Sequence, residues 1–176
     1  MVWYAGATFD PERGYDVRQR GYGERDRGQF GEVHRTDRVT GAAMLVPRKV
    51  LDEVGAFDPE LFLYMEDVEW SLRLAQASYG VYVVPRARAW HHVSGGAGGD
   101  EHSPVTAYYL ARNTLEVCSR HSRARGVRAL RRHAATVLAQ VAHARRARRP
   151  LHNLRAVVRG WWHYMSGRLG PLDGRR

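Results

Sequence analysis

The 176-residue sequence predicts an α/β fold that gives way to a helical tail. Three observations carry this. A β-branched run, Val81-Tyr82-Val83-Val84, stands between Gly80 and Pro85, the punctuation of a strand. Before it, two stretches place apolar residues at helical spacing, one after Pro47 and one from Glu66. From residue 104 onward, apolar residues recur at steps of three and four almost to the end.

In chain order, Val2-Trp3-Tyr4-Ala5 reads as a short strand, and the rest of residues 1–35, rich in glycine and charge, as a long polar loop. Gly41-Ala42-Ala43-Met44-Leu45-Val46 reads as a buried strand. Pro47 suits the first position of a helix with Val50, Leu51 and Val54 on one face, and Gly55 is its stop. Asp58 and Pro59 make a turn, and Leu61-Phe62-Leu63-Tyr64-Met65 leads into a second helix from about Glu66 to Ala77, with Val68, Leu72 and Ala75 as its buried stripe. Residues 87–92 read as extended. Ser94-Gly95-Gly96-Ala97-Gly98-Gly99 reads as a flexible loop; it lacks the Gly-Lys-Ser/Thr of a nucleotide-binding P-loop. Three helices follow, over 104–121, over 127–147 and after Pro150. In the last two, Val127, Leu130, Ala134, Val137, Leu138 and Val141, then Leu151, Leu154, Val157, Val158, Trp161, Trp162 and Met165, form apolar stripes opposite arginines.

The net charge of +10 is unevenly placed. Residues 1–104 sum to −4, whereas residues 105–176 carry 16 arginines against Glu116 and Asp173, a net of +14. A basic tail on a mildly acidic body points to an anionic partner, nucleic acid or anionic lipid, or else to a solvated face. One cysteine, Cys118, excludes a disulfide framework and a cysteine-based zinc site and fits a reducing compartment. No apolar run approaches the roughly 20 residues that span a bilayer, and no signal-peptide core follows Met1. The expectation is a soluble or peripheral protein.

The order strand, helix, loop, Glu-Asp helix, strand, His-containing segment is also that of a known family. Thr40-Gly41-Ala42-Ala43-Met44-Leu45-Val46, Val54-Gly55-Ala56-Phe57-Asp58 and Phe62-Leu63-Tyr64-Met65-Glu66-Asp67-Val68-Glu69, with Leu72-Arg73-Leu74, Tyr82-Val83-Val84-Pro85-Arg86-Ala87, Trp90-His91-His92 and Tyr108-Tyr109-Leu110-Ala111-Arg112-Asn113, resemble the C-terminal half of family 2 glycosyltransferases. The likeness is to the rhamnosyltransferase-like branch and covers about residues 2–120. It implies a partial GT-A fold, a mixed sheet with helices.

The resemblance implies sugar transfer from a nucleotide-sugar donor to a hydroxyl of a glycan or polyprenyl-linked acceptor, inverting and assisted by a divalent cation, Mn²⁺ or Mg²⁺. Such transfer needs a base for the hydroxyl and charge neutralisation for the departing diphosphate. By position Asp67 is the base, and Glu66 orients the site or touches the acceptor. Without the resemblance, two acids at a helix start simply complement the helix dipole. His91, 24 residues after Asp67, stands where the family often has a metal ligand, with His92 the alternative; both also suit an ordinary strand end. Thr40, Gly41 and Arg73 are candidate substrate contacts. For Arg73 the default reading is a surface ion pair with Glu69, four residues earlier.

The family's Asp-x-Asp metal motif and nucleotide-binding strands are not in this sequence, and neither is the Gln-x-x-Arg-Trp motif of processive synthases. The expected organisation is therefore residues 1–104 as the acceptor and catalytic-base half of a GT-A domain, and residues 105–176 as a basic helical tail. The chain is expected to begin inside the domain, as a truncated, split or decayed form. Residues 127–168, with Trp161, Trp162 and Tyr164, suit an anionic membrane surface, which places the protein in the cytoplasm, peripheral on the inner membrane face. The rival is a non-catalytic interaction or nucleic-acid-binding protein using the same helices. No helix-turn-helix, ribonucleoprotein or zinc-finger pattern supports nucleic acid.

Overall fold

A computed structural model describes residues 1–10, 16–91, 103–122 and 126–172. His92 and the glycine-rich stretch 94–99 lie outside the described residues. The chain forms two compact units. One is built from Met1–Asp10, Asp16–Phe57 and Asp67–His91, the other from Asp58–Glu66 and the residues that follow His91. The class is the expected one: helices with small sheets, consistent with part of a GT-A fold.

In the first unit, β1 (Ala7–Asp10) pairs antiparallel with β2 (Asp16–Gln19), Ala7 opposite Gln19. β3 (His34–Thr36) pairs antiparallel with β4 (Val81–Val83), Thr36 opposite Val81. Thr36 joins the two sheets, because its hydroxyl accepts from the Ala7 N–H and donates to the Ala7 carbonyl, both at 2.8 Å. So the stretch expected to be a polar loop holds a hairpin and a further strand. Residues 2–5 are not a regular strand; they are tied to 20–24 by bonds such as Val2 N–H to Glu24 O (2.7 Å) and Gly23 N–H to Val2 O (2.9 Å).

α1 (Arg48–Val54) starts after Pro47 and ends at Gly55, whose φ of +81° is the left-handed conformation glycine adopts without strain. α2 (Glu66–Gln76) places Val68, Trp70 and Leu74 inward. Val50, Trp70, Leu74 and Val81 form the core, flanked by Val39, Met44, Val46, Val54 and Tyr79. Residues 41–46 correct the sequence reading. They form a turn followed by irregular chain, with Met44 and Val46 against the core and Leu45 almost fully exposed. Six apolar residues carry no strand signal beyond their hydropathy, and among the described residues no strand pairs with them. Residues 85–86 form a turn, with Ala87 N–H bonded to Val84 O, and the described part of 87–92 holds no regular strand.

In the second unit, Ser103 caps α3 (Pro104–His121), accepting from Thr106 N–H at 3.1 Å, with Pro104 in the first turn. α4 (Gly126–Arg146) and α5 (Pro150–Met165) pack on it. Ala107, Ala111, Ala144 and Val157 are the centre of this packing. Gly160 allows it: a Cβ there would stand 2.6 Å from the Tyr108 carbonyl oxygen and 3.0 Å from the Ala111 Cβ.

α4 lies the other way round from what its apolar stripe suggests. Arg132, Thr136 and Ala144 face inward, whereas Val127, Leu130 and Leu138 are 65–71 % exposed. The inward face is usable because the Arg132 guanidinium bonds the Ser122 hydroxyl, and Gln140 donates to Leu110 O and accepts from the Trp161 indole.

Candidate active site

The first unit brings the Thr40-Gly41 stretch onto Asp67. Leaving β3, the chain passes Asp37 and Arg38 and turns at Thr40, which is buried. α2 presents Asp67 to this turn. Oδ2 of Asp67 takes Arg38 Nη2 at 2.6 Å and the Gly41 N–H at 3.2 Å. Asp67 is only 5 % exposed, so its charge needs such a partner. Its Oδ1 has no hydrogen-bond partner among the described residues.

Supporting contacts fix the pair. Ser71, one turn on, donates to the Asp67 carbonyl at 2.6 Å and accepts from Val39 N–H at 3.1 Å. The Tyr4 hydroxyl donates to the Arg38 carbonyl, and burial, above all, pushes the Tyr4 phenol above its ordinary value. Arg38 and Tyr4 are the participants that sequence reading missed. Arg38 was findable, because a buried carboxylate demands a cation and Arg38 stands just before the Thr40-Gly41 stretch. Tyr4 carried no signal, since nothing in the spacing of residues 1–35 ties it to Asp67.

The other candidates sit elsewhere. Glu66 opens α2, half-buried, one residue before Asp67 and therefore about 100° round the helix from it. The Arg73 guanidinium is engaged by Glu69 (2.9 and 3.0 Å), Val54 O (2.5 Å) and Ala56 O (2.7 Å), bracing the bend after α1. Trp70 braces the same bend by donating to Gly55 O at 2.8 Å. His91 is exposed, its ring set edge-on to Trp3 with centroids 4.3 Å apart. Among the described residues no group of three His, Cys, Asp or Glu side chains could hold a metal ion. The described residues do not by themselves fit a divalent cation.

The segment that carries this arrangement, a carboxylate anchored through one oxygen beside a Thr-Gly turn at the head of a helix, is similar in sequence to known proteins. Residues 18–94 match the family described as glycosyltransferase like family 2. Those residues are similar to that family.

The family 2 segment has named relatives. It is 35 % identical over 84 residues to an N-acetylglucosaminyl-diphospho-decaprenol L-rhamnosyltransferase of Mycobacterium tuberculosis, covering 48 % of this chain and 27 % of that protein. A dTDP-rhamnosyl transferase of Shigella flexneri is 29 % identical over 107 residues, 57 % of this chain and 36 % of that one. A galactofuranosyltransferase of Mycolicibacterium smegmatis is 33 % identical over 79 residues, 44 % and 12 % of the two chains. The chain spans about a quarter of the length of the first of these relatives and no more than 36 % of the others. No solved structure matches it.

Proposed function

We propose that the protein carrying this sequence is an inverting glycosyltransferase that moves a sugar from a nucleotide-sugar to a hydroxyl of a lipid-linked or cell-envelope glycan, and that this chain supplies the acceptor side and the base, Asp67. The observation that carries the reading is the one-sided anchoring of Asp67: Oδ2 is held by Arg38 and Gly41, and Oδ1 is left to take a proton. In that role Oδ1 accepts the hydroxyl proton while the acceptor oxygen attacks the anomeric carbon. The bond from that carbon to the diphosphate breaks, its electron pair leaves on the nucleotide diphosphate, and a single displacement inverts the centre. Arg38, Gly41 and Ser71 hold the base in place, and Arg73 acts as a brace of the fold. The three relatives, two of them rhamnosyltransferases by name, support the reaction class.

The same reading sets the basic tail on an anionic membrane, close to a lipid-linked acceptor. It is supported by α5, where Leu151, Leu154, Val158 and Trp162 line an open apolar groove edged by Arg155 and Arg159. Trp162 is 60 % exposed, while Trp161 turns inward to Gln140. Apolar side chains between arginines suit headgroups and acyl chains better than a phosphodiester backbone, which favours lipid over nucleic acid. No helix among the described residues is long and apolar enough to cross a membrane.

The test is transfer of labelled sugar from a panel of nucleotide-sugars to polyprenyl-diphosphate-linked acceptors. Transfer that inverts the anomeric centre supports the reading, and product with the donor's configuration contradicts it.

A further inference from the structure

The chain reaches α2 through residues 58–65, and this approach is contorted. Phe62, Tyr64 and Met65 have φ of +61°, +62° and +70°, left-handed values that side chains other than glycine resist. Leu63 N–H closes a three-residue turn on Leu61 O at 2.7 Å. Such backbone persists only where surrounding groups over-determine it, and it gathers at functional sites.

The groups that determine it come from one place. Arg112 and Asn113, adjacent on α3 and both essentially inaccessible to water, spend their polar atoms on this segment. Asn113 Nδ2 stands 2.8 Å from each of three carbonyl oxygens, of Leu61, Leu63 and Tyr64. Arg112 Nη2 donates to Glu60 O (3.1 Å) and Leu61 O (3.0 Å), and Nη1 to Gly170 O (2.7 Å). Arg112 Nε donates to Asn113 Oδ1 at 2.8 Å, so each side chain orients the other. The guanidinium lies over the rings of Tyr108 and Tyr109. The Tyr64 hydroxyl is further tied to Thr106 at 3.1 Å. An Arg-Asn pair that straps four consecutive-turn carbonyls exceeds what packing α3 requires, since Ala107, Ala111 and Val157 already fill that interface.

We propose that Arg112 and Asn113 are positioning residues for sugar transfer: they lock the left-handed approach to α2 and thereby set Glu66, the first residue of that helix and the expected acceptor contact. The proposal rests on the functional reading above. A carboxylate that orients the acceptor must lie within hydrogen-bond reach of it, and a misplacement of about 1 Å costs on the order of 100-fold in rate. Asn113 supplies the donors and Arg112 fixes which way the amide faces.

The test is Asn113→Asp in the full chain, with Arg112→Lys as the second variant should the first fail to fold. Asn113→Asp keeps the acceptor for Arg112 Nε and removes the donors to the loop. Two quantities are read: hydrogen exchange of the amides of residues 61–67 against those of α3, and the kcat and donor KM of transfer. The proposal expects loop exchange to speed at least about tenfold with α3 unchanged, and kcat to fall about 100-fold with donor KM within about twofold. Unchanged loop exchange, or faster loop exchange with kcat intact, would overturn it. A wild-type protein without transfer would overturn the functional reading instead, and loop exchange would still decide the clamp.

Discussion

Arg38 Nη2 lies 2.6 Å from Oδ2 of Asp67, and both side chains are largely withdrawn from water. Removing one partner of a buried ion pair costs about 3–5 kcal/mol, because the other charge is left without compensation. Arg38→Met is therefore expected to lower unfolding free energy by roughly that amount in urea titration. Adding Asp67→Asn should restore part of the loss, since it removes the stranded charge. Equal stability of Arg38→Met and wild type would mean the pair is not maintained in solution.

Gly160→Ala separates helix propensity from packing. In an exposed helix alanine would stabilise by about 1 kcal/mol over glycine. Here the new methyl meets backbone, the Tyr108 carbonyl oxygen at 2.6 Å and the Arg112 nitrogen at 3.2 Å. A net loss of about 1–3 kcal/mol is expected, read from thermal or denaturant unfolding.

These two sites show where the sequence is informative and where it is silent. The helices over 48–54, 66–76, 104–121, 126–146 and 150–165 were legible from their period, helped by Pro47, Pro104 and Pro150 at three starts and Gly55 at one stop. The meeting of Thr40-Gly41 with Asp67 followed from no periodicity; family resemblance singled out both stretches, and only the fold brought them together. Residues 41–46 looked like a strand because hydropathy does not say whether a partner strand is beside them. The inward face of α4 escaped notice because Arg132, Thr136 and Gln140 read as solvent-facing until their partners Ser122 and Trp161 are placed. The left-handed positions before α2 are Phe62, Tyr64 and Met65, none of them glycine, so nothing local announces them.

The exposed apolar groove of α5 predicts lipid binding. Leu151→Ser, Val158→Ser and Trp162→Ser together should abolish co-flotation with vesicles containing anionic lipid, with the circular-dichroism spectrum unchanged. Salt-sensitive duplex binding without flotation of the wild type would overturn the membrane reading and favour nucleic acid.

Stability should fall at both ends of the pH scale, for different residues. Burial, then the charges of Arg159, Arg168 and Arg112, depress the His163 pKa below its ordinary value near 6.5. Protonation thus favours the unfolded chain: the contribution is full above about 6.5 and is lost as pH falls below it. His163→Gln should flatten this acid limb. Burial pushes the Cys118 thiol up to about 11, so the folded state keeps a proton that the unfolded chain releases earlier. That contribution is present below the ordinary thiol pKa and is lost as pH rises toward 11. Cys118→Ala should flatten the alkaline limb, to which the buried Tyr4 phenol also contributes, and the native thiol should resist a disulfide reagent at pH 8.

The most direct measurement is the turnover of Asp67→Asn against wild type in the sugar-transfer assay, with folding followed by circular dichroism. If Oδ1 of Asp67 takes the acceptor's proton, kcat falls by about 10²–10⁴-fold in a protein that remains folded. Transfer at the wild-type rate by folded Asp67→Asn would contradict the assignment of the base.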